Sequence, residues 1–293
     1  MGPPSTDESL RVDRPVANDP QQADALTDDA LSRLHGATPD WDGARAGFEQ
    51  AAALGSARAA SYLGWIYEHG HGVERDHRQA AHWYARVARA GVPDFAVKLG
   101  WMYMGGGQLP ADRQRAEAWF GEAVAAGHLP ANVALASVLI ADAQGGIAPH
   151  RVHEARALLD TALEGELRLA AFFLARLYVE GIGGHPQDEA LGLRYTRMSA
   201  EDGQALMQGR LAQWYLEGRG VPVDPLEAAF WAALAAAGED PLGRSLHAEL
   251  GQRLTDAERQ AVLERTMRWA LEGAQMPPSD GVAPLHPAQA PAR

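Results

Sequence analysis

The chain has 293 residues, a formal net charge of −12 and no cysteine. The missing thiols exclude a disulfide scaffold, a thiolate metal site and a cysteine nucleophile. The acidic balance excludes nucleic acid and anionic membrane as main partners, because both reward Lys/Arg patches.

Residues 1–22 are rich in Pro, Asp, Ser and Gln with almost no bulky apolar side chains, and are expected to be a disordered tail. The opening MGPPSTDESLRVDRP holds no apolar run of the signal-peptide kind. The longest apolar stretch, Ala228 to Gly238, is too short to cross a bilayer. The expectation is a cytoplasmic protein without membrane insertion.

Residues 23–273 repeat themselves. A glycine at the end of a helical segment recurs at Gly55, Gly91, Gly127, Gly165, Gly203 and Gly238, in steps of 36, 36, 38, 38 and 35 residues. A helix-opening aspartate keeps the same step at Asp40, Asp76, Asp112, Asp188 and Asp224, with the place near His150 vacant. Aromatic columns run through Tyr67, Tyr103, Tyr178 and Tyr215, and through Trp83, Trp119, Tyr195 and Trp231. A fixed period of this length marks a repeat array, in which stacked units share one core and present an extended surface.

In chain order, Ala23 to Leu54 makes a weak first helix pair. The second unit is the clearest. Its first helix places Leu63, Gly64 and Tyr67 on one face and stops at Gly70 and Gly72. Asp76, with Gln79 three residues on, opens a second helix that buries Ala80, Trp83 and Val87 and ends at Gly91. The fourth unit is degenerate: Leu139 stands for the tyrosine and Ala157 or Leu158 for the tryptophan, so this layer is expected to be the loosest. In the last unit Asp224, Pro225 and Glu227 form a cap, a first-turn proline and a capping box. One first-helix position stays small at Gly64, Gly100, Ala136, Ala175 and Ala212, for close approach of the partner helix. Beyond Gly238 the period is lost. A capping helix opens at Thr255 and Glu258, with Val262, Met267 and Trp269 over the last layer. Residues 274–293 carry five prolines and are expected to be a second disordered tail.

The columns A-x-x-L-G-x-x-Y-x-x-G-x-G-V, then D-x-x-x-A-x-x-W, then A-x-x-G resemble the Sel-one-like repeat family, relatives of tetratricopeptide repeats. Leu63–Val73 with Asp76–Gly91, Leu99–Tyr103 with Asp112–Gly127, and Leu211–Val221 with Asp224–Gly238 carry the likeness. It implies an all-α, right-handed α/α superhelical solenoid of about six helix-turn-helix repeats plus a C-terminal capping helix. It also implies a non-catalytic scaffold or regulatory adaptor for a protein or peptide. Bacterial members include signalling regulators and immunity partners of secreted toxins, so a sequestering, chaperone-like role is the alternative.

In this family the first helix of each pair lines the concave face. Trp65, Glu68, Trp101, Met104, Phe172 and Arg176 project there by register and are the candidate partner-binding residues. Tryptophan and arginine often anchor interfaces; the competing role for these side chains is to pad the superhelix interior.

Little chemistry is written elsewhere. His69 and His71 have chelating spacing, but no carboxylate or cysteine pattern completes a metal set, and no cofactor is expected. No nucleophile elbow, Walker motif or dinucleotide glycine pattern occurs. The rival class would be a histidine-bound metal hydrolase; the reading adopted is not an enzyme.

Overall fold

The computed structural model describes residues 19–35, 38–105 and 109–272, and the rest of both expected tails lies outside these. Fourteen α-helices and two 3₁₀ turns occupy the described residues, and no strand is found among them. The helices come in pairs: α1 (Pro20–Ser32) with α2 (Trp41–Ala53), α3 (Ala57–His69) with α4 (His77–Arg89), and α5 (Pro93–Tyr103) with α6 (Arg113–Ala125). Then come α7 (Leu129–Gln144) and α8 (Val152–Glu164), α9 (Ala170–Glu180) with α10 (Glu189–Glu201), and α11 (Ala205–Glu217) with α12 (Pro225–Ala237). Two more, α13 (Pro241–Arg253) and α14 (Asp256–Glu272), follow. Packing runs mainly between neighbours in sequence, as in α1 on α2, α3 on α4 and α11 on α12. This is an all-α solenoid of helical repeats. It divides into two compact units, Met1–Leu139 and Ile140–Arg293. The division falls within α7, in the degenerate repeat.

The aspartate and tyrosine columns turn out to be two halves of one device. Each aspartate caps its helix with a carboxylate oxygen: Asp76 accepts from the N–H groups of Arg78 and Gln79 at 2.8 and 3.0 Å, Asp112 from Arg115 at 3.0 Å, and Asp188 from Leu191 at 2.9 Å. In the units that carry the tyrosine its own N–H donates back to that carbonyl, Asp76 to Tyr67 at 2.9 Å, Asp112 to Tyr103 at 2.8 Å, Asp188 to Tyr178 at 3.2 Å and Asp224 to Tyr215 at 2.9 Å, whereas Asp40 donates to Arg33 at 2.9 Å. One residue thus starts the second helix and ties down the end of the first. Where the aspartate is missing, α8 begins from a 3₁₀ turn, Pro149–Arg151, and Arg151 supplies no side-chain cap.

The small column is explained by a ring rather than by backbone. A β-carbon on Gly64 would lie 2.3 Å from the Tyr84 ring, and one on Gly100 would lie 2.5 Å from Phe120. Tyr84 and Phe120 are buried, deeper than Trp83, which is partly exposed. The ring that fills the space beside the glycine therefore belongs to the residue after the tryptophan, while Trp119 and Trp231 are themselves buried. In the same register Thr196 and Ala232 are buried, and there the small column relaxes from glycine to Ala175 and Ala212.

Four expectations need correction. First, α1 starts at Pro20, inside the segment assigned to the tail, because Asp19 accepts from Gln22 N–H and Pro20 suits the first turn. Second, Gly165 and Gly238 keep negative φ of −81° and −82°. The left-handed residue after those helices is Glu166 or Glu239, each at φ 64°. Gly238 is small for a different reason, since a β-carbon there would meet Ala205 at 2.5 Å. Third, α13 forms where the period was taken to end, and packs on both α11 and α12. Fourth, α14 buries Val262 and Trp269 but leaves Met267 58% exposed. Glu227 donates its N–H to the Asp224 cap at 3.0 Å, and its buried carboxylate forms a two-point ion pair with Arg265 of α14.

Candidate functional site

Trp65 and Trp101 occupy the same position of consecutive repeats, on α3 and α5, and are 37% and 47% exposed. Neither is loose. Trp65 belongs to an aromatic stack in which the His71 imidazole lies 4.2 Å from the Trp65 ring and 4.7 Å from the Trp41 ring, at interplanar angles of 26° and 13°. His69 completes it, 5.3 Å from Trp65, with Nδ1 3.0 Å from the Trp65 carbonyl oxygen. Trp101 stands edge-on to the buried Phe120 ring, with centroids 5.1 Å apart. Met104 follows as the half-buried C-terminal cap of α5.

Glu68 joins three helices. It accepts a 2.6 Å hydrogen bond from the Tyr84 hydroxyl and pairs with Lys98 Nζ at 2.9 Å, its side chain 10% exposed. Lys98 Nζ also lies 4.8 Å from the centre of the Tyr84 ring, a cation–π contact. Glu68 is one helical turn beyond Trp65, and Lys98 is one turn before Trp101. The bridge therefore links the two tryptophan-bearing helices at the level of the indoles. Burial pushes the Glu68 carboxyl up, but the Tyr84 and Lys98 donors outweigh it and hold it below the ordinary range. Conversely, burial and the adjacent Glu68 push the Tyr84 phenol well up. Glu68 thus ties α3 to α4 through Tyr84 and to α5 through Lys98.

Phe172 and Arg176 fall in the second unit. Phe172 is half-buried and stands edge-on to Phe173 at 5.1 Å. Arg176 reaches Glu180 at 3.4 Å, and Glu180 is shared with Arg210 at 3.1 Å, leaving two guanidinium groups on one carboxylate. The six candidates therefore separate into Trp65, Glu68, Trp101 and Met104 in one unit and Phe172 and Arg176 in the other.

Two contributors escaped the sequence reading. Trp41 opens α2 directly after its capping Asp40, and that cap position signals a helix start rather than an aromatic platform. Lys98 is the sole lysine of the chain, a compositional oddity whose role only the Glu68 contact reveals.

The histidines are aromatic stacking partners here. The His69 and His71 rings lie 5.7 Å apart at 17°, and among the described residues no group of three His, Asp or Glu side chains is placed to hold a metal. A cavity of about 550 Å³ opens beside the α3–α4 connection, lined by Tyr67, Arg75, Asp76, His77 and Arg78 among others. Its charges are of both signs, and Asp76 is spent on the α4 cap, so it offers no convergent set of donors. Among the described residues no helix is long and apolar enough to cross a membrane.

The Sel1 repeat profile matches four segments, residues 57–92, 93–128, 168–204 and 205–240. The unmatched stretch between the second and third is the degenerate repeat. Among solved structures, the chain is similar to an SLR-fold protective antigen present in uropathogenic Escherichia coli strains. The match has 23% identity and a TM-score of 0.68, and covers 86% of this chain and 54% of that one. This chain thus spans about half the length of that antigen. It is also similar to a Sel1 repeat protein from Oxalobacter formigenes, at 21% identity and TM-score 0.57, over 75% of this chain and 85% of that one. An immunity protein from Pseudomonas aeruginosa aligns over 79% of this chain and 83% of its own at 21% identity, with a TM-score of 0.36. A likeness at that level carries no argument about role. Comparison with curated proteins gives no match.

Proposed function

Since the chain belongs to the Sel1 repeat family, we propose that it is a non-catalytic scaffold or regulatory adaptor, and that Trp65 and Trp101 anchor a peptide segment of its protein partner. Sel1 repeat proteins are generally protein-interaction scaffolds, and the fold is typically non-catalytic. The observation that carries the reading is the pair of indoles, 37% and 47% exposed at matching positions of adjacent repeats, on helices joined by the Glu68–Lys98 bridge. An indole left this open forgoes much of the stabilisation that burial would give it. Held rigidly by His71, Trp41 and Phe120, it costs little entropy to order when a partner arrives. Met104 extends the apolar surface by one turn. Phe172 and Arg176 would serve as a second anchor set in the other unit, with the guanidinium meeting a carboxylate of the partner. Glu68 acts by positioning both tryptophans.

The narrower version, in which the chain sequesters a toxin, uses the same face and differs only in what is bound. The test is photo-crosslinking in native lysate, with a benzophenone side chain placed at position 101 and, as a control, at the exposed position 79 of α4. A discrete protein adduct at 101 that is absent at 79 supports the reading. Identical adducts at both positions, or none at 101, count against it. The identity of the adduct separates adaptor from sequestering protein.

A further inference from the structure

The last helix carries an apolar row that no described residue of its own unit covers. Leu263, Met267 and Leu271 are 52%, 58% and 85% exposed. They stand at i, i+4 and i+8. At about 100° per residue they point roughly 100°, 140° and 180° away from Val262. Val262 and Trp269, both 9% exposed, mark the inward side, where Trp269 packs against Phe230 and Trp231 at 5.6 and 5.4 Å. Single exposed apolar residues are ordinary on protein surfaces; three in one helical row, opposite the buried face, form a docking seam.

The charges beside the seam say what fits it. Glu264 and Arg268, both exposed, lie one turn apart on the same flank of the row. When two such helices pair antiparallel about a two-fold axis, each flank meets its own copy with the direction reversed. With Met267 against Met267 and Leu263 against Leu271 in the core, Glu264 lies about 3 Å along the axis from the level of Arg268 of the second copy, and Arg268 likewise from Glu264, so these long side chains reach each other as two symmetric ion pairs on one flank. A parallel pair would bring opposite flanks together and lose both ion pairs. We propose that α14 is a self-association helix, and that its occupant is α14 of a second copy in antiparallel, two-fold arrangement. Arg265, fixed by Glu227 of α12, anchors α14 to its own unit, so the seam is presented from a supported helix.

A single helix-on-helix contact lies at the small end of protein interfaces, so the dimer forms with a dissociation constant on the order of tens of micromolar. Sedimentation velocity on the full chain across about 1 to 500 µM tests this. The expected result is a monomer that converts to dimer within that range. Met267→Asp holds it monomeric with an unchanged helical circular dichroism spectrum, and Glu264→Arg or Arg268→Glu alone weakens the dimer by about tenfold or more. The double reversal Glu264→Arg with Arg268→Glu restores it to within about threefold of the original. A chain that stays monomeric at every concentration overturns the proposal, whether its own C-terminal segment or nothing lies over the row. So does a dimer indifferent to Met267→Asp, or a double reversal that fails to rescue.

Discussion

The Tyr84 ring fills the space in which a β-carbon on Gly64 would stand, at 2.3 Å, and Phe120 does the same to Gly100 at 2.5 Å. The glycine is an enabling void for a ring, and the ring in turn fixes Glu68 through its hydroxyl. Gly64→Ala should therefore destabilise the protein by about 1 to 3 kcal/mol through overpacking. The bare helix propensity of alanine points the other way, by about 1 kcal/mol in favour of the variant. Urea unfolding followed by circular dichroism decides the sign. In the second pair, Gly100→Ala with Phe120→Leu should cost less than the sum of the singles by about 1 kcal/mol, because the smaller side chain vacates the contact.

Glu166 and Glu239 sit at φ 64°, in the left-handed region that β-carbons disfavour. Replacing either with glycine should stabilise by about 1 kcal/mol. The apparent helix-end glycine next door behaves differently: Gly238→Ala should destabilise, since its methyl would press on Ala205 at 2.5 Å. Thermal midpoints of the three variants check this directly.

Those two glutamates also show how far the sequence could be read. The period, the caps at Asp76, Asp112, Asp188 and Asp224, and the Thr255–Glu258 box were legible because each is a local contact between residues close in sequence. The left-handed residue at Glu166 was not, because the neighbouring glycine satisfied the pattern without supplying the geometry. Helix α13 was missed since its burial is set by the α11 and α12 faces it lands on, outside the repeat. For the proposed binding face, Trp65 and Trp101 followed from helix register together with the family resemblance. Their support did not: Trp41 and Tyr84 come from α2 and α4, and Lys98, although one turn before Trp101 on α5, acts by bonding Glu68 on α3, a pairing no spacing rule within one helix gives.

His185 is 5% exposed. Burial, with Arg156 and His153 adding repulsion, holds its imidazole below the ordinary histidine range. The unfolded chain therefore takes up the proton more readily. Stability from this residue is complete above the unfolded value near 6.5 and is lost as pH falls through the folded one. The thermal midpoint should drop between pH 7 and 5, and His185→Gln should flatten that drop. An unchanged slope in the variant would remove His185 from the account.

Glu68 titrates with the same pH direction for the opposite chemical reason. Its depressed folded value means that it stabilises above the ordinary carboxylate range and that the contribution disappears as pH falls through the folded value. Lys98→Met removes one of the two donors, so the acid-induced loss assigned to Glu68 should shrink. Stability measured from pH 6 down to pH 3 in both backgrounds tests this.

Arg265 holds the last helix by its ion pair to the buried Glu227. Arg265→Ala should cost about 2 kcal/mol, through the partner lost by a buried carboxylate. Hydrogen exchange should quicken in α14 first, while α9 and α10 keep their protection. Equal acceleration throughout the second unit would mean that the pair stabilises the whole unit rather than tethering its end.

The central claim is that Trp65 and Trp101 are held for a partner rather than for the fold, and one paired measurement bears on it most directly. For Trp101→Ala, unfolding free energy and affinity for the crosslinked partner would be determined on the same preparation. With the indole 47% exposed, the account predicts a stability loss of about 1 to 2 kcal/mol, well short of the 3 to 5 typical of a fully buried tryptophan. It predicts an affinity loss of about 2 kcal/mol or more, roughly thirtyfold. A stability loss of about 3 kcal/mol or more with affinity unchanged would contradict it and make the tryptophan a packing residue.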